Sequence, residues 1–184
     1  MSATMRDKDR LTFSVSISFL GCARYKKQMP QFKKILCPVD FDENSLLALR
    51  IATELARERK ATLYLLHVVA MPPGPEVALP FGKMEAAART RLEKLARQKV
   101  DGKVGYEVDV AMGDPGIEVL QVAKRLRANL IVMATHGRKG VRRLILGSVA
   151  EHVLREAPCP VLTVRPQGAR AMSLRTPAKR LKRT

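Results

Sequence analysis

From residue 35 onward the chain alternates between two hydrophobic rhythms. Four short apolar runs read as strands buried on both faces: Ile35 to Val39, Thr62 to Val69, Leu130 to Met133 and Val161 to Val164. A fifth, Val104 to Val110, alternates apolar and polar residues with acids at 107 and 109, which suits a partly exposed edge. Between the runs the period lengthens to that of a helix. Ser45 to Arg59 sets Leu47, Ile51 and Leu55 on one stripe, and Ala48, Ala52 and Ala56 allow close packing on a sheet. Lys83 to Lys99 turns Met84, Ala88, Leu92 and Leu95 inward and stops near Gly102. Asp114 and Pro115 open a helix with Val119, Val122, Ala123 and Leu126 on its buried side. A last helix opens at Ser148 and ends before Pro158. Five strand-helix alternations predict an α/β fold, a five-stranded parallel sheet with helices on both faces. Periodicity leaves the strand order open.

The two ends of the chain fall outside this rhythm. Residues 1–31 are expected to be a disordered N-terminal extension. Its Leu11 to Leu20 stretch resembles a weak secretory core, but Thr12, Ser14, Ser16 and Ser18 interrupt it, and it is too short to span a bilayer. Met29 is the expected natural start. Residues 166–184 form a basic tail, also expected to be disordered, and 32–165 the single domain. The net charge of +17 is uneven: the tail carries six bases and no acid, and residues 1–31 six bases against two acids. A basic tail offers contact with nucleic acid or an anionic surface. No aromatics interleave it as a single-strand platform requires, so a solvated tail is the simpler account.

Cysteine usage narrows the compartment. Cys22, Cys37 and Cys159 are far apart, without the C-x-x-C spacing of a zinc site or a disulfide framework. This predicts a reducing, cytoplasmic setting, with Cys37 and Cys159 as small core residues. His67, inside a strand, reads as a residue with a satisfied partner.

The informative stretch for chemistry runs from Leu130 to Pro160. After its apolar run comes a loop of roughly thirteen residues, long against the usual 2–6 for such a connection. It contains Gly137, Gly140, Gly147 and the cations Arg138, Lys139, Arg142 and Arg143. Glycines let backbone amides turn toward a ligand, and the following helix offers unpaired N–H groups at the positive end of its dipole. That combination favours an anion. Ser148-Val149-Ala150-Glu151 also matches a capping box, with Ser148 as N-cap. His136 is a turn residue that could neighbour a phosphate. Asp40, at the end of the first apolar run, serves either a ligand hydroxyl or a helix cap, with Asp42 and Asn44 as competing capping candidates.

Gly137, nine residues, then Gly147-Ser148 resembles the G-x2-G-x9-G-[S/T] signature of the ATP-binding universal stress protein family. Its first position is Ala134 here, where the family carries glycine. The resemblance covers about residues 32 to 165. It implies a Rossmann-like sheet of the adenine nucleotide alpha hydrolase type, order 3-2-1-4-5, with the first and fourth strands adjacent at a switch point. It further implies ATP, with Mg²⁺, as ligand. Adenine and ribose would lie by Val39, Asp40 and Val68, and phosphates on Gly137, Gly147, Ser148 and Val149. Pro38, Met133, Ala134 and Arg138 complete the expected cofactor-binding set.

The implied function is ATP binding with a regulatory output in stress response, in a homodimer paired through the fifth strand. A dimeric interaction module without nucleotide is the alternative, since Ala134 departs from the pattern. A slow ATPase or phosphotransferase is poorly served, because the chain has neither G-x4-G-K-[S/T] nor clustered acids for a metal.

Overall fold

The computed structural model describes residues 13–18, 32–71, 81–135 and 146–166. In chain order the elements are β1 (Phe13–Ser18), β2 (Lys34–Pro38), α1 (Glu43–Arg59), β3 (Thr62–Ala70), α2 (Phe81–Lys99), β4 (Tyr106–Gly113), α3 (Pro115–Leu126), β5 (Leu130–Ala134), α4 (Ser148–Glu156) and β6 (Val161–Pro166). Counted from Lys34, the five parallel strands lie in the order 3-2-1-4-5, as expected; the full sheet reads β1-β6-β5-β2-β3-β4.

Apolar runs become strands because both faces of the sheet are covered. In β2, Ile35, Leu36 and Cys37 are all fully buried. Ile35 and Cys37 join the core under α1 and α2, while Leu36 joins the core under α3 and α4. Burial of this kind stabilises by about 1.5–3 kcal/mol per large aliphatic side chain. At the outer edge, β4 keeps Tyr106 and Glu107 exposed, in line with its alternating sequence.

The helices differ from expectation in detail. The buried face of α1 centres on Ala48, Ala52 and Ala56, with Ile51 beside them, whereas Leu47 and Leu55 are only half-buried flanks. Small side chains bring the helix axis close to the strands, so the bulkier leucines sit at the margins. Likewise α2 buries Leu92 and Ala96, with Ala88 and Leu95 packed at the margin. In α3, Asp114 caps the helix by accepting from the Ile117 amide, Pro115 occupies the first turn, and Val119, Val122 and Ala123 are buried.

The N-terminal segment differs more. Disorder was expected over residues 1–31, yet Phe13–Ser18 forms β1 and pairs antiparallel with β6. Its sequence, FSVSIS, alternates apolar residues with serine at the strand period, and the β6 edge supplies a ladder. The edge at which homodimer pairing was expected is therefore occupied within the chain. The remainder of the extension, and the tail beyond Pro166, lie outside the described residues.

Among the described residues no helix is long and apolar enough to cross a membrane. Cys37 and Cys159 are buried free thiols, as expected, and burial pushes the Cys37 thiol up to about 12.

Candidate functional site

Strands β2 and β5 are neighbours, and their parallel register pairs Ile35 with Leu130 and Leu36 with Ile131. The chain leaves β2 for α1 on one face of the sheet and leaves β5 for α4 on the other. A crevice therefore opens at their carboxyl ends, as switch points in open α/β sheets require. Asp40 follows β2 by two residues. Thr135, which follows β5 directly, stands on the same rim.

The β2 side is held by main-chain and side-chain hydrogen bonds together. Past Pro38 the ladder continues, with the Val39 amide donating to the Leu66 carbonyl at 2.8 Å. The Val39 carbonyl lies 2.7 Å from Nδ1 of His67. A carbonyl can only accept, so His67 carries its proton on Nδ1. The expectation of a histidine with a structural partner holds. Asp40, half-buried, accepts at Oδ1 from the Asp42 amide at 3.2 Å. Asp42 is the N-cap of α1: its Oδ1 takes the Ser45 amide at 2.7 Å, and the Ser45 hydroxyl donates back to the Asp42 carbonyl. Of the two roles open to Asp40, the helix cap thus falls to Asp42. Partial burial raises the Asp42 carboxyl above its ordinary range, and the nearby Asp40 charge adds to the rise against the opposing Ser45 amide.

Between the two aspartates stands Phe41, a residue that sequence reasoning missed. Its φ of 66° is in the left-handed region, unusual for an aromatic residue. Its ring lies 4.5 Å from that of His67, and the Arg91 guanidinium of α2 sits 4.0 Å above it. This stack couples the β2–α1 turn to β3 and α2. Nothing in local propensity forecasts a left-handed phenylalanine.

The β5 side ends in the long loop, whose two ends are joined. The Gly147 amide donates to the Thr135 carbonyl at 2.8 Å, and the Thr135 amide donates to the Val164 carbonyl at 3.1 Å. Gly137, Arg138 and His136 lie outside the described residues. Met133 is buried in the core on the α3 and α4 face, and Ala134, half-buried, packs against the opposite core. Pro38 is half-buried at the end of β2, and Val68, in β3, pairs with Ala111.

The start of α4 corrects the capping-box expectation. Gly147, not Ser148, is the N-cap, and no side chain caps the helix. The Glu151 amide bonds to the Gly147 carbonyl at 2.9 Å, a bond the helix backbone makes unaided. Ser148 is exposed at the first helical position, and the first-turn amides have no intrahelical acceptor. An exposed hydroxyl beside open amides at the positive end of a helix has the chemistry that polyphosphate needs. The helix is held in place by α3: a Cβ added at Gly116 would come within 2.9 Å of the His152 ring.

A recess of about 290 Å³ elsewhere is lined by Arg50, Arg57, Lys99 and Asp101, where α1 and α2 end. Helices here run antiparallel to the strands, so that recess belongs to the amino-terminal rim, across the sheet from the crevice.

Residues 31–165 match the family model described as the universal stress protein family. The chain belongs to that family. A universal stress protein of Methanocaldococcus jannaschii is 35% identical over 142 residues, covering 73% of this chain and 82% of the relative. One from Thermus aquaticus is 35% identical over 140 residues, covering 73% of this chain and 99% of the relative. Among solved structures, the universal stress protein UspA from Lactobacillus plantarum superposes with a TM-score of 0.61 at 25% identity, covering 73% of this chain and 99% of that one. All three similarities leave roughly the same quarter of this chain unmatched, and the family match begins after β1.

Proposed function

We propose that this universal stress protein binds ATP at the crevice between β2 and β5 and has a regulatory rather than a catalytic output. The observation that carries the reading is the uncapped start of α4, joined through Gly147 to the end of β5 and facing the same rim as Asp40. In this reading the amides of Ser148 and Val149, with the Ser148 hydroxyl, hold the phosphates. Gly137 and Arg138 complete that cradle. Asp40 accepts from the ribose, and Val39 and Val68, with Pro38, Met133 and Ala134, surround the base. Mg²⁺ would accompany the phosphates and screen their charge. The setting is cytoplasmic, in keeping with free buried thiols at Cys37 and Cys159. A family fold neighbour from Archaeoglobus fulgidus, 23% identical, was solved in complex with dAMP. At that identity the likeness speaks for the fold, and the ATP reading rests on this chain's own residues.

A regulatory output follows if ATP stabilises one conformation or one assembly over another. Calorimetric titration with Mg-ATP tests the binding. One saturable site per chain, weakened in Asp40→Ala, is expected; heat that never saturates would refute it. Ala134 favours a second reading, a nucleotide-free interaction module. Under that reading Ala134→Gly would fail to create or strengthen ATP binding.

A further inference from the structure

The β6 edge is uncharged from Val161 to Val164, and all four residues are buried. An apolar strand edge without a charge, proline or bulge is a template for another strand. Here the chain supplies that strand itself. β1 pairs with β6 along its whole length, from Phe13 opposite Pro166 to Ser18 opposite Val161. Yet β1 precedes the family match, which begins at residue 31, and relatives matched over 99% of their length leave it unmatched. It is an addition to a unit that is complete without it.

The connection is geometrically easy. β1 ends at the amino-terminal end of β6, on the rim where β2 begins. The crossing passes three strand spacings, about 14 Å. Residues 19–33 span that distance with slack to spare.

We propose that β1 is a removable cover over the β6 edge, and that a second copy of this chain takes its place when it leaves. The occupant is argued from symmetry. A two-fold axis between Leu162 and Thr163 would bring Val161 opposite Val164 of the other copy, and Leu162 opposite Thr163, so every position in the run meets an uncharged partner. The inference rests on the reading that this protein self-associates through its last strand. Tethering gives β1 a high effective concentration at the edge, so the covered monomer is favoured until β1 is displaced. A chain begun at Met29 would lack β1 and carry the edge bare.

The test uses the full chain. In an antiparallel ladder successive residues alternate between facing and leaving the partner strand, so Val15→Pro with Ser16→Pro removes one bonded amide whatever the register. Ser14→Cys with Arg165→Cys, in a Cys22→Ser background, joins two residues that the register places opposite each other. Solution mass is measured by sedimentation at one concentration for the native chain, the proline variant and the oxidised, cross-linked variant. The expected result is one copy for the native and cross-linked chains and two copies for the proline variant. If all three remain single copies, self-association through β6 fails and the cover has nothing to regulate. If the cross-linked chain is itself a dimer, self-association survives but uses another surface, and the cover proposal is overturned.

Discussion

The amide of Gly147 donates to the carbonyl oxygen of Thr135 at 2.8 Å, closing the loop between β5 and α4 at its base. The first turn of α4 is thereby fixed to the end of β5, whatever the intervening residues do. Gly147 has φ −75° and ψ 153°, an extended conformation open to any residue. Its glycine is not needed for the backbone, so close approach of a ligand is the remaining reason for it. Gly147→Ala keeps the amide and should hold or raise stability, by about 0.4–1 kcal/mol. ATP affinity should fall by roughly tenfold or more, equivalent to about 1.4 kcal/mol. Thermal unfolding and titration on one preparation separate the two effects.

Ser148 offers a sharper test because it caps nothing. Loss of an N-cap hydroxyl costs about 0.5–2 kcal/mol. Ser148→Ala should instead leave stability within about 0.5 kcal/mol, as at an ordinary exposed position. ATP binding should weaken in the same variant. Denaturant unfolding that reveals a cap-sized loss would return Ser148 to a structural role.

Much of this was legible in the sequence, for identifiable reasons. Doubly buried strands produce continuous apolar runs, and the Asp114-Pro115 pair marks a helix start, so β2 to β6 and α3 lie where the pattern predicts. The adjacency of β2 and β5 came from the family resemblance and is what brings Asp40 to the rim of the loop. Three features were not legible. The pairing of β1 depends on an edge more than a hundred residues away, and its serines read as interruptions of an apolar segment. The N-cap of α4 lies one residue before the capping-box serine, because backbone geometry at Gly147 starts the helix. Phe41 adopts a left-handed conformation held by His67 and Arg91, partners on other elements.

The Phe41 stack can be measured directly. Arg91 is exposed, and a cation over an aromatic face at such a site is worth about 0.5–1 kcal/mol. Arg91→Ala should cost that much in the native chain and nothing in Phe41→Ala. A double-mutant cycle by urea unfolding gives the coupling, and a value near zero would leave the stack without energetic weight.

Burial and its effect on the thiol make Cys37 inert in the folded protein. With the thiol pushed up to about 12, almost no thiolate is present near neutral pH. Iodoacetamide at neutral pH should leave Cys37 unmodified in the native chain and label it in denaturant, as peptide mass spectrometry reads. Rapid native labelling would mean that the core around β2 opens readily.

A crystal structure of the full chain grown with Mg-ATP tests the central claim most directly. Phosphate oxygens should lie about 3 Å from the Ser148 and Val149 amides, an ordinary hydrogen-bond distance. The ribose should face the Asp40 carboxylate, with the base against Val39 and Val68. An empty crevice at saturating ATP, or nucleotide bound at the opposite rim of the sheet, would contradict the account.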